Sequence, residues 1–174
     1  MKRREIYLAG GCFWGVEKYL SLVPGVLEAE VGCANGGMPL GEKVSDERVG
    51  RGDTGFAETV KAVYDGDILP LPKLLDRFFE VVDPTSVNRQ GNDVGSQYRS
   101  GIYTVEDGDE AMVRAALKEL AKQYDKPIAV ETKPLENYGR AEEYHQKYLD
   151  KNPGGYCHIP QTAFARAARG DNGG

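Results

Sequence analysis

The order of elements predicts an α+β fold with a ferredoxin-like split-βαβ core, extra helices and a loop-rich C-terminal segment. Three observations carry this. Two stretches, 26–33 and 58–64, alternate with period 2. Two others repeat apolar residues at i, i+3, i+4 and i+7. Glycine and proline separate them in the order strand, helix, strand, strand, helix, strand.

Ile6, Tyr7, Leu8 and Ala9 form a short apolar run that Gly10 and Gly11 end, which predicts a buried strand. Val16, Tyr19, Leu20 and Val23 then mark one helix face, stopped at Pro24 and Gly25. In the next strand Leu27, Ala29, Val31 and Cys33 share one side, with Glu28 and Glu30 on the other. The glycine-rich, charged stretch 36–55 reads as a loop, and 58–64 as a strand. Leu71, Leu74, Leu75, Phe78, Phe79 and Val82 make a helical stripe closed by Asp83-Pro84. A polar segment, 88–99, leads to a strand at 101–105. A helix over 109–124, a strand over 128–132 and a last helix over 141–149 are expected to decorate this core. Residues 1–160 are read as a single catalytic domain and 161–174 as a flexible tail, because the final residues lack periodicity.

The chain of 174 residues is long enough for one cored domain, and 40% hydrophobic with 28% charged residues is ordinary globular composition. The net charge of -5, with basic residues scattered, argues against nucleic acid. No apolar run approaches a signal h-region or a membrane span, so a cytoplasmic protein is expected. Cys12, Cys33 and Cys157 are odd in number and widely spaced, which points to redox or catalytic use rather than a disulfide framework. No metal is expected: the two histidines are His145 and His158, and no Cys-x-x-Cys pair exists.

Cys12 falls where a strand ends and a helix starts. Free amides and the helix dipole at such a place favour a thiolate. Position alone leaves open an inert cysteine beside a tight turn. Phe13 and Trp14, the chain's single tryptophan, could form an apolar pocket for a small group such as a methyl, or could be plain core. Glu58 shares a strand face with Val60, Ala62 and Tyr64. If that face is buried its carboxyl is desolvated and can serve as a general acid; the alternative is an edge glutamate reaching solvent. Asp93 and Tyr98, in the polar segment, could orient a water or a substrate oxygen, or could serve as turn chemistry and partial core.

Together these residues resemble the peptide methionine sulfoxide reductase A family over most of the chain, from about residue 6 to 157. The specific signature is Gly-Gly-Cys-Phe-Trp-Gly-Val-Glu at 10–17. Gly-Asp-Thr-Gly-Phe-Ala-Glu at 52–58 resembles a second motif, with Phe56 where a histidine is common. Arg-Gln-Gly-Asn-Asp at 89–93 and Gly-Ser-Gln-Tyr-Arg-Ser at 95–100 resemble a third. The runs at 141–149 and 152–157 resemble the family's last helix and C-terminal end. The resemblance implies Cys12 as nucleophile, Phe13 and Trp14 as methyl pocket, Glu58 as proton donor, and Asp93 and Tyr98 around the sulfoxide oxygen. It also implies Cys157 as resolving cysteine, thioredoxin or a similar dithiol as reductant, and action on the S epimer, free or in proteins, with no cofactor. Two departures stand out. Asp46 occupies the place of a second active-site tyrosine, and Cys33 stands where a tyrosine is frequent; burial as a small hydrophobe is the preferred reading of Cys33, an auxiliary redox cysteine the rival. A peroxide-reducing or sensing thiol enzyme, and a non-catalytic module that binds oxidised methionine, are the alternative functions.

Overall fold

The computed structural model describes residues 1–36, 55–157 and 159–169. Its centre is a sheet of β1 (Arg3–Ala9), β2 (Val26–Ala34), β3 (Ala57–Asp65), β6 (Gly101–Thr104), β7 (Glu131–Pro134) and β8 (Tyr138–Arg140). The order across it is β7-β6-β1-β3-β2-β8. The inner four strands pair antiparallel, as a split βαβ requires, and β7 joins parallel to β6. A two-residue hairpin, β4 (Arg89–Gln90) with β5 (Asp93–Val94), stands apart in the polar segment.

One face of the sheet is covered by α1 (Phe13–Leu22) and α2 (Leu71–Val81). The main core lies there: Ile6 and Leu8 of β1, Val60, Ala62 and Tyr64 of β3, and Leu74, Leu75 and Phe78 of α2, all essentially inaccessible. The other face is thinner, with Tyr7, Ala9, Ala34, Ala57 and Tyr103 under Leu135 and Tyr138. α3 (Asp109–Ala121) buries Val113 and packs on α2 and β7.

The sequence pattern misplaces four things. A bulge between Val26 and Glu28 breaks the alternation, so Leu27 is exposed while Ala29, Val31 and Cys33 are buried. The strand expected at 128–132 forms at Glu131–Pro134. Its register is set by Glu131, whose carboxylate accepts bonds from Arg99 Nε at 3.1 Å and Tyr103 Oη at 2.7 Å.

The helix expected over 141–149 is instead a 3-10 turn (Glu143–His145) and a four-residue helix, α4 (Tyr148–Lys151). Tertiary partners take the groups a continuous helix would use. The Gln146 amide accepts from Val31 N–H and donates to the carbonyls of Val31 and Ala141, at 2.9–3.0 Å. Lys147 turns left-handed and its N–H goes to the buried Glu17 carboxylate. Finally, residues 161–169, expected to be part of a flexible tail, form α5 (Gln161–Arg169), which buries Ala163, Phe164 and Ala167 against α1 and α2.

Candidate active site

Cys12 is the N-cap of α1. Gly11, at φ +82°, turns the chain from β1 into the helix, a conformation that suits glycine. Cys12 is 7% exposed, with the Trp14 amide facing its sulfur. The lowered thiol pKa expected from a helix start is not what the structure holds. Burial pushes the Cys12 thiol well up, the Glu58 carboxylate adds to this, and the Trp14 amide opposes them; Asp93 and Cys157 raise it further. Desolvation outweighs the helix terminus, so the resting residue is a thiol.

Glu58 lies on β3, an inner strand, so the alternative of an edge carboxylate in solvent does not apply. It is buried on the α1 side of the sheet, and its Oε1 accepts the N–H of Phe13 at 3.2 Å. One helix start thus presents a sulfur and an amide to one carboxylate. Cys33 is buried on β2 directly across from Glu58 in the register.

Asp93, on β5, and Tyr98, in a 3-10 turn (Ser96–Tyr98), bring the polar segment to this point. Burial and the charges of Glu58 and Asp93, with that of Cys12 when it ionises, push the Tyr98 phenol up to about 12, so the phenol faces these three groups. Tyr98 is therefore a hydrogen-bond donor across the physiological range. Asp93 Oδ2 accepts the phenol of Tyr156 at 3.1 Å.

Phe13 is buried and Trp14 half-buried. The indole stacks on Tyr148, centroids 3.8 Å apart and 11° from parallel. Its Nε1–H donates to His145 Nδ1 at 3.0 Å, and the imidazole lies 5.3 Å from the Phe13 ring and 4.0 Å from Tyr144. That bond requires Nδ1 of His145 to be unprotonated. His145, Tyr148 and Tyr156 join the site although the sequence pattern does not point to them: the aromatic cluster at 144–148 is a signal for the first two, but its spacing reads as a helix.

The half-buried thiol of Cys157 accepts the N–H of Ile159 at 3.3 Å and is raised by burial. It lies near enough to Cys12 for the two sulfurs to influence one another. Cys12, Cys33 and Cys157 are not joined in a disulfide. Asp46 lies outside the described residues. Among the described residues, no group of three or more His, Cys, Asp or Glu is arranged to hold a metal ion, and no helix is long and apolar enough to cross a membrane.

A buried sulfur, a buried carboxylate, a phenol and an aromatic wall can hold a small polar group that has an apolar substituent. They can also deliver a proton to it. The family model described as peptide methionine sulfoxide reductase matches residues 4–172. A peptide methionine sulfoxide reductase from Lachnoclostridium phytofermentans is 57% identical over 94% of this chain and 97% of its own. The reduced form of Mxr1 from Saccharomyces cerevisiae superposes with a TM-score of 0.86 at 39% identity, covering 91% of this chain and 92% of that one. The same yeast protein in complex with Trx2 gives 0.60 at 28% identity, covering 84% and 85%.

Proposed function

The chain belongs to the peptide methionine sulfoxide reductase family, and on that premise we propose that it reduces the S epimer of methionine sulfoxide, free or in proteins, with Cys12 as nucleophile. The observation that carries this is the shared helix start: Cys12 caps α1 while the next amide, Phe13 N–H, holds the Glu58 carboxylate beside it.

Sulfoxide oxygen leaves badly unless protonated, so the reaction needs a thiolate and a neutral acid together. Each charge in this buried pair disfavours the other, so the pair retains a proton. In the reactive arrangement that proton is on Glu58. The thiolate attacks the sulfoxide sulfur to form an S–S bond while Glu58 protonates the oxygen; the S–O bond to methionine breaks, and that oxygen, as hydroxide, bonds to the Cys12 sulfur and breaks the S–S bond. Methionine leaves, reduced by two electrons, and Cys12 becomes a sulfenic acid. The substrate methyl rests against Phe13 and Trp14. Tyr98 and Asp93 hold the oxygen, directly or through a water.

Cys157 then attacks the sulfenic sulfur to form a disulfide and release water. A thioredoxin or similar dithiol restores both thiols; the likeness to the yeast protein solved with Trx2 supports that partner. No cofactor enters this cycle. Dithiol recycling fits a reducing compartment, and the cytoplasm is the proposed location. Asp46, in the position of a second phenol, belongs to the substrate side in this reading.

Single-turnover assays on both sulfoxide epimers test the proposal, comparing wild type with Cys12→Ser and Glu58→Gln. One methionine per chain from the S epimer, none from Cys12→Ser, is the expected result. Full activity in Cys12→Ser sinks it. Faster turnover of hydrogen peroxide than of sulfoxide assigns the site to peroxide chemistry, and binding without product makes it a recognition module.

A further inference from the structure

Gly15 occupies the third position of α1, one turn beyond Cys12, and it calls for an explanation. Glycine weakens a helix interior relative to alanine. Gly15 is not among the glycines with positive φ, so backbone conformation does not require it. Space does. A Cβ at this position would lie 2.8 Å from Cys157 Sγ and 3.1 Å from Ile159 Cδ1. The same sulfur accepts the Ile159 N–H at 3.3 Å. Lys18, on the next turn of α1, supplies a positive charge that favours the Cys157 thiolate.

We propose that Gly15 is a positioning residue for the second half of the cycle: its missing side chain leaves a notch in α1 that seats the Cys157 thiol one helical turn from Cys12. The proposal rests on the reading of Cys157 as the resolving cysteine. In that step the Cys157 sulfur gives its electron pair to the Cys12 sulfenic sulfur. The S–S bond forms, the S–O bond breaks, and hydroxide leaves as water with the thiol proton. Cys157 is oxidised and the sulfenic sulfur reduced. A sulfur already seated needs no search by the C-terminal segment, and the first step, at Cys12, does not involve the notch.

Gly15→Ala tests this. The new methyl must push the sulfur out of its seat by several tenths of an ångström, and a misplacement near 1 Å can slow a reaction about 100-fold. Full-length protein is mixed with methionine sulfoxide without reductant, and three quantities are followed: methionine released, sulfenic acid trapped by a 1,3-dicarbonyl, and the Cys12–Cys157 disulfide by mass spectrometry. Gly15→Ala is expected to release methionine within about twofold of the wild-type rate, to form the disulfide roughly 10- to 100-fold more slowly, and to accumulate trapped sulfenic acid. Its Tm should stay within a few degrees of wild type, since the better helix propensity of alanine offsets the crowding of Cys157 and Ile159. Disulfide formation at the wild-type rate overturns the proposal, as does an equal slowing of methionine release. Cys157→Ser separates the two levels: if it loses the disulfide while Gly15→Ala does not, the notch fails and the resolving role stands. If Cys157→Ser still resolves its sulfenic acid into an internal disulfide at the wild-type rate, both fail.

Discussion

Replacing Glu58 by glutamine separates two effects that the structure places on one carboxylate. Glutamine keeps an oxygen to accept the Phe13 N–H, now at 3.2 Å. The bond changes from charge-assisted to neutral, a loss of about 1 kcal/mol. In a chain of this size that lowers Tm by roughly 2–4 °C, so the fold survives. Glutamine cannot donate a proton to the sulfoxide oxygen. General acid assistance is worth about 10²–10⁴, or roughly 3–5 kcal/mol of barrier, and methionine formation should slow by that factor. The Cys12 thiol should move the opposite way. The Glu58 carboxylate is the largest cause after burial that holds its pKa up. Removing that charge should speed alkylation of Cys12 by iodoacetamide on the order of tenfold near pH 8. The assay is therefore paired: rapid-quench methionine release and alkylation followed by mass, on the same preparation. Slower alkylation accompanying slower reduction refutes the argument, because the carboxylate is then not the charge that opposes the thiolate. So does reduction retained within about threefold.

Three further outcomes follow from the same contacts. Gln146→Ala removes an amide that makes three buried hydrogen bonds to β2 and Ala141, and should cost about 3 kcal/mol in urea unfolding; a loss under about 1 kcal/mol shows that water replaces them. Phe164→Ala should cost about 3–5 kcal/mol, since the ring is 5% exposed within α5; a near-neutral change means that residues 161–169 do not dock in solution. The pH dependence of stability carries the sign of Cys12. Its folded pKa is raised by burial, so the folded state holds the proton more tightly than the unfolded chain. The stability from this group is complete below the ordinary thiol pKa of about 8.5 and is lost as pH rises beyond it. Wild type should therefore lose Tm above about pH 8.5 more steeply than Cys12→Ser, and parallel slopes contradict the assignment.

What could be read in the chain and what could not divides along one physical line. β3 and α2 were legible because their periodicity reports a face buried by the element itself: Val60, Ala62 and Tyr64 recur every second residue, Leu71, Leu74, Leu75 and Phe78 at helical spacing. Cys12 was legible by position, since two glycines between a strand and a helix leave little else for the turn to be. The state of its thiol was not, because desolvation depends on what the rest of the chain places over it. The same holds for 141–149. Tyr144, His145, Tyr148 and Leu149 have helical spacing, yet the spacing arises from a 3-10 turn followed by a short helix, with Gln146 and Lys147 bonded to β2 and Glu17. Tertiary hydrogen bonds replaced local ones there, and with the helix gone His145 turns to the Trp14 indole and Tyr148 stacks on it. Periodicity is blind to such a segment because its side chains answer to the site and not to a repeating face. An aromatic and histidine cluster in a short, poorly capped helical pattern near the C-terminal cysteine is therefore better read as a wall of the pocket than as one more core helix.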